Sequence, residues 1–449
     1  LSSEPLRREI GLFGAVMLVI GGIVGAGVFR NPSVVAGVLH APFLILVAWG
    51  FGGVVALLGA FIYAELAARM PDTGGEYAYL SQTYGPLWGF LFGWTSLLVV
   101  QAGGMAAVCL IFAENFQVLM GWQVDVRITP IVVAAALGLL TLVNCIGVKS
   151  GNETQALIGA LKMIVIVGLV ACGLFLAPHP QPLIHPILDR PVSINLVQAF
   201  GEAMIPVLFA FGGWQTANFV GGEIKDAHRN LTRALVIGVL AVTVLYLAVN
   251  VACLNTLGFE ALGRTKTPVA DVLQVTVGGY GARLVALAIT LSTLGYLSQG
   301  LLTAPRVYYA MARDGYLLDI LGKVSKRSQV PVAAILLTSV WTGLLAMTGT
   351  YEQIAAYDVS MNFIFFGLTA TCLFALRRRA ARTGVETSFR VPGHPWTTLA
   401  FILCSVAVIV SSHIAKTAPS LVGDAILLAG VPIYFLRRRV RRDPSPAAA

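Results

Sequence analysis

The 449 residues are 57% hydrophobic and only 11% charged, with a mean hydropathy of +0.82, too few polar groups to cover a water-facing surface. A soluble multidomain fold is therefore excluded, and the bilayer is the main solvent of this chain. The net charge of +9 does not signal nucleic acid, because the Lys and Arg residues sit in short clusters between apolar runs rather than on one continuous face.

In chain order, the apolar runs are Gly11 to Leu39, Phe43 to Leu66, Gly85 to Ala113, Ile128 to Val148, Ala156 to Leu176 and Leu196 to Val220. They continue with Ala234 to Leu257, Tyr280 to Met311, Val330 to Met347, Ile354 to Leu376, Thr398 to Ile414 and Leu421 to Leu436. Twelve spans put both termini on one side of the membrane. Most basic residues fall on that side, including Arg69, Lys225, Arg229, Arg313, Arg377 to Arg379 and Arg437 to Arg439, whereas Arg30, Arg127, Arg190 and Lys416 fall opposite. The positive-inside rule therefore predicts cytoplasmic termini. The first run lacks a small-residue cleavage site and is followed at once by another, so it is expected to stay in the protein. The Pro-rich stretch Pro178 to Pro191 is expected as an external connector.

The cysteines Cys109, Cys145, Cys172, Cys253, Cys372 and Cys404 all lie in apolar segments with no CxxC pair, and no His stands at metal-ligand spacing. They are expected to pack, and no metal or other cofactor is expected. Glu65, Glu202, Glu223 and Asp358 lie in or at the ends of spans without forming a paired-carboxylate constellation. HExxH, GxSxG and Walker motifs are absent, so the sequence predicts no enzyme.

A polar solute can bind at mid-membrane depth only where a spanning helix breaks and frees its main-chain groups. Glycine clusters mark such places. Gly21-Gly22-Ile23-Val24-Gly25-Ala26-Gly27 lies within the first span and Phe209-Ala210-Phe211-Gly212-Gly213-Trp214 within the sixth. The first cluster also contains a GxxxG pair, which by itself reads as helix packing. Positions one and six, however, correspond if two five-helix repeats are related by an in-plane axis. Free N–H groups near Ala26 and Gly27 would then hold a carboxylate, and carbonyls of Ile23, Val24 and Phe209 to Phe211 an ammonium group. Lys162, the one basic residue inside a span, reads equally as a side chain snorkelling to the interface or as an internal functional group.

These segments resemble the amino acid-polyamine-organocation superfamily of transporters. Gly22-Ile23-Val24-Gly25-Ala26-Gly27-Val28-Phe29 looks like its first-helix signature, and Glu65-Leu66-Ala67-Ala68-Arg69-Met70-Pro71 with Gly74-Gly75-Glu76-Tyr77 resembles its segment between helices two and three. The string from Phe209 to Trp214, with Glu223-Ile224-Lys225, Tyr246 to Val251 and Arg306-Val307-Tyr308-Tyr309, is similar to the L-type amino acid transporters. The resemblance implies a LeuT-like all-α membrane fold: a 5+5 inverted repeat with discontinuous helices one and six, plus two C-terminal helices. The repeats would be 1–177 and 196–376, the external loop 178–195, and the final spans with their basic tail 377–449.

It also implies substrate contacts at Ile23, Gly25, Ala26, Gly27, Phe209, Ala210, Phe211 and Gly212, with Phe209 and Trp214 in gating. Lys162, supported by Tyr246, would stand where sodium-coupled relatives hold sodium. The expected activity is sodium-independent exchange of neutral L-amino acids across a plasma membrane, with a cationic amino acid or polyamine carrier and a proton-coupled mode as alternatives and a channel as the rival from another class. An acidic residue facing the pocket, Glu202 above all, would favour a cationic substrate. Two features depart from the resemblance: Ala26 stands where serine is common, and Asn115 to Arg127 lacks the cysteine that animal members use to bond a heavy chain, so no such partner is expected.

Overall fold

In the computed structural model, residues 6–442 are described apart from 72, 189–190, 349–350, 384–386 and 416. Of the residues singled out above, Arg190, Lys416 and the side chains of Asp358, Arg438 and Arg439 lie outside the described set.

The chain is all helical: α1 (Leu12–Ile23), α2 (Gly27–Val38), α3 (Pro42–Arg69), α4 (Glu76–Tyr84), α5 (Pro86–Thr95), α6 (Gln101–Leu119), α7 (Thr129–Ile146) and α8 (Val148–Phe175). There follow α9 (Ile194–Phe211), α10 (Ala227–Arg264), α11 (Pro268–Val277), α12 (Gly281–Arg313), α13 (Val332–Ala346), α14 (Tyr351–Thr383), α15 (Trp396–Ala415) and α16 (Thr417–Arg442). Proline in the first turn starts α3, α5, α7 and α11, where its missing N–H would have no helical acceptor anyway. Among the described residues, ten helical segments are long and apolar enough to cross a bilayer, or eleven when α1 and α2, bent by 42° at their junction, count as one span. The run expected at Val330 to Met347 forms the 15-residue α13, too short to be counted with them.

The faces confirm a lipid solvent. On α8, Leu157 and Ile164 are 62% and 68% exposed, while Gly151, Gln155, Gly159 and Lys162 face inward. Small and polar residues inside with aliphatic residues outside is the reverse of a water-soluble helix. The helix also begins eight residues before the expected run at Ala156, because its first turns carry Lys149 and Glu153, paired at 3.8 Å in the i, i+4 arrangement. Lys162 consequently sits near the middle of α8.

α10 packs along α3, α1 and α2, and α12 against α6 and α8, so the two glycine-marked segments lie at the centre of the bundle. At one end the chain before α1 is clamped to the end of the sixth run: Glu9 N and Ile10 N donate to Glu223 O at 2.9 and 3.0 Å, and Lys225 N donates to Ile10 O at 2.9 Å. The same end holds a fully buried bidentate pair, Arg306 to Glu223, at 2.7 and 3.0 Å.

Candidate substrate site

Both glycine clusters are breaks. The first run splits after Ile23, Val24 turns extended with ψ 91°, and helix resumes at Gly27. The sixth splits after Phe211: Gly212 is extended with ψ 158°, Gly213 is left-handed at φ 101°, and a 3-10 turn runs over Trp214–Glu223. The breaks touch main chain to main chain, since a Cβ on Gly22 would stand 2.5 Å from Gly213 O.

Three side chains hold the first break from outside. Lys162 is fully buried and its Nζ donates to Val24 O at 2.6 Å and Gly21 O at 3.3 Å. This contact replaces the snorkelling reading with an internal one. Tyr246 Oη shares its hydrogen bonding between the breaks, reaching Ile23 O at 3.1 Å and Ala210 O at 3.0 Å. Ser292 Oγ caps Gly25 O at 3.0 Å. Each answers a carbonyl that the lost helical turn would otherwise leave unpaired.

A cavity of about 50 Å³ lies between the breaks. Ile23, Gly25, Ala26 and Gly27 line it from the first break, and Phe209, Ala210, Gly212 and Gly213 from the second. Val24 and Phe211 are adjacent but face elsewhere: the Val24 carbonyl turns to Lys162, and the Phe211 ring packs against Tyr246 and Trp49 at centroid distances of 5.0 and 6.1 Å. Trp214 is likewise buried away from the cavity, edge-on to Tyr63 at 4.8 Å. Glu202 is exposed and outside the lining.

Gln101, Gln215, Tyr296 and Asn362 are the polar side chains among the lining residues, and sequence reasoning did not select them. Gln101 follows a π-helical turn, Ser96–Val100, which interrupts the span between α5 and α6 beside the cavity. Such turns cluster at functional sites, but their extra residue leaves no sequence mark. The legible signal was an amide, Gln101, within an otherwise apolar run.

Between the apolar spans, α4 tucks Glu76 into the bundle, where its Oε1 accepts Tyr63 Oη–H at 2.5 Å. Burial raises the Glu76 carboxyl from 4.5 to about 8, against the lesser opposing effect of the Tyr63 hydrogen bond. The folded protein therefore retains a proton that the unfolded chain releases, and stability falls as pH rises from 4.5 through about 8. Glu76→Gln, which keeps the shape without the titration, should flatten that decline in thermal midpoints of the detergent-purified protein. Parallel pH profiles for the two proteins would show that Glu76 does not titrate in this way.

The architecture and site define an all-helical membrane protein with a cavity between two interrupted helices. Residues 10–436 match the amino acid permease family, and the chain belongs to it, within the amino acid-polyamine-organocation superfamily. It is 31% identical over 435 residues to the serine/threonine exchanger SteT of Bacillus subtilis, covering 96% of this chain and 97% of that protein. Similarity extends to the human b(0,+)-type amino acid transporter 1, 30% identical over 97% of this chain and 90% of the relative. It extends also to the mouse large neutral amino acids transporter small subunit 2, 28% identical over 96% and 81%. The chain is thus an amino acid transporter and not an enzyme.

Proposed function

We propose that this chain exchanges small neutral L-amino acids across a plasma membrane, without sodium, by alternating access. One observation carries the reading: the cavity joins main-chain ends of opposite polarity and, among the described residues, its lining holds no charged side chain. The first N–H groups of α2 suit a carboxylate and the carbonyl end of α9 suits an ammonium group, which leaves a neutral side chain facing Val100, Gln101, Val108 and Asn362. The cavity is narrow, about 50 Å³, which favours a compact side chain over a bulky one. The name of the Bacillus relative, a serine/threonine exchanger, agrees with that size.

The twelve-span reading takes α1 with α2 as the first span and α13 as the ninth, giving the five-plus-five repeat with two further helices and both termini cytoplasmic. Phe209, on the cavity wall, serves as the gate over the ligand, and Trp214 transmits movement of the second break to Tyr63. Lys162 holds by its ammonium group the place a coupling cation would take, which supports sodium independence. All six cysteines lie within helices, consistent with work free of a disulfide-linked heavy chain.

The test is counterflow. Proteoliposomes preloaded with unlabelled serine or alanine should take up labelled serine several-fold faster than empty ones, equally with sodium or choline outside, and preloaded leucine should accelerate less. Absence of acceleration overturns exchange, and a requirement for sodium overturns the role given to Lys162.

A further inference from the structure

α10 enters the bundle with two arginines that face outward. Arg229 and Arg233 are exposed, and neither has an ion-pair partner among the described residues. The acid one turn away, Asp226, forms no ion pair with them, and Glu65 is already saturated by Arg69, Arg377 and the Val391 N–H. Successive steps of four, four, three and four residues place Arg229, Arg233, Ile237, Leu240 and Val244 on one helix face. Ile237, Leu240 and Val244 are 47%, 46% and 68% exposed, a continuous aliphatic stripe running from the arginines toward the bilayer interior.

The arginines border a hollow of about 530 Å³ whose remaining walls are His228, Thr232, Val236, Ile237, Ser388 and Phe389. Its walls are fixed. Phe389 stacks on Phe61 at 6.3 Å, Ser388 Oγ donates to His228 O at 3.2 Å, the His228 ring is bonded to Ala68 O at 2.8 Å, and Thr232 Oγ1 donates to His228 O at 3.0 Å. A free phosphate would use the guanidinium groups but none of the aliphatic surface. An amphiphile with an anionic head uses both.

We propose that this hollow binds an anionic membrane phospholipid, its phosphate held by Arg229 and Arg233 and an acyl chain lying along Ile237, Leu240 and Val244. The site sits on the helix that carries Tyr246, about 13 residues or 20 Å farther along from Arg233. Occupancy therefore braces the element that ties the two breaks together.

The full-length protein in detergent is titrated with phosphatidylglycerol, with phosphatidylcholine of the same acyl chains, and with inorganic phosphate, reading thermal midpoint and, by native mass spectrometry, bound lipid. Phosphatidylglycerol should raise the midpoint and remain bound, while the other two should not. Arg229→Gln with Arg233→Gln should weaken that response roughly five-fold per arginine, on the order of 25-fold together. Removing the same charge from the exposed loop by Lys326→Gln with Arg327→Gln should leave it intact. Equal responses to phosphatidylcholine or to inorganic phosphate, an unchanged response of the arginine variant, or an equal loss in the loop variant each overturns the assignment. Monodispersity of the arginine variant without lipid separates a lost site from a lost fold.

Discussion

Lys162→Ala should lower serine counterflow roughly 10- to 150-fold with little change in the amount of protein in the membrane. That range corresponds to losing a charged-group hydrogen bond of about 1.5–3 kcal/mol. The Lys162 ammonium donates to Val24 O at 2.6 Å and to Gly21 O at 3.3 Å, on the two sides of the point where α1 ends. Without it, Val24 O falls back on Ser292 Oγ, which reaches it only at 3.3 Å, and the break loses the contact that fixes its direction. The fold should persist because Tyr246 and the Gly22–Gly213 contact still join the breaks. Lys162→Met, which refills the volume without the charge, should be nearly as impaired, separating electrostatics from packing. Wild-type turnover in either variant, measured in proteoliposomes at matched protein content, would remove Lys162 from the mechanism.

The second large effect is expected at Gly213, and it reaches the fold as well as the transport. Its φ of 101° is reserved in practice for glycine, and a Cβ there would stand 2.0 Å from Gly22 O and 2.6 Å from Gly22 C. Main chain cannot rotate out of the way as a side chain can, so Gly213→Ala must push the breaks apart and open the cavity lining. Folded yield by fluorescence size exclusion and counterflow should both collapse. Gly50→Ala, where a Cβ meets nothing within 4 Å, should be tolerated and serves as the control for substitution within a span. A monodisperse, fully active Gly213→Ala protein would show that the close approach is dispensable.

Both arguments start from features visible in the sequence. Glycine clusters inside apolar runs announced the breaks because few other residues permit such an approach or such a φ, and a lysine among aliphatic residues stood out for its desolvation cost. The cavity wall was less legible. Gln101, Tyr296 and Asn362 come from α6, α12 and α14, and which face of a helix turns inward depends on packing against helices far away in sequence. Hydropathy also began runs too late where charged turns open a helix ahead of its apolar stretch, as at Lys149 and Glu153 on α8. Trp214 read as a gating residue, and its ring packs toward Tyr63 and Phe366, a direction no local pattern encodes.

The short clamp in front of α1 bears on how the transporter can move. Three main-chain hydrogen bonds rivet residues 9 and 10 to residues 223 and 225, and the Gly22–Gly213 contact repeats the join at the other end of α1. α1 and the 3-10 turn over Trp214–Glu223 are thus pinned at two points, like the rails of one ladder. Under the alternating access proposed above, a passage on this side opens by swinging both rails together or by first unpicking residues 9 and 10, which would then act as the latch on that door.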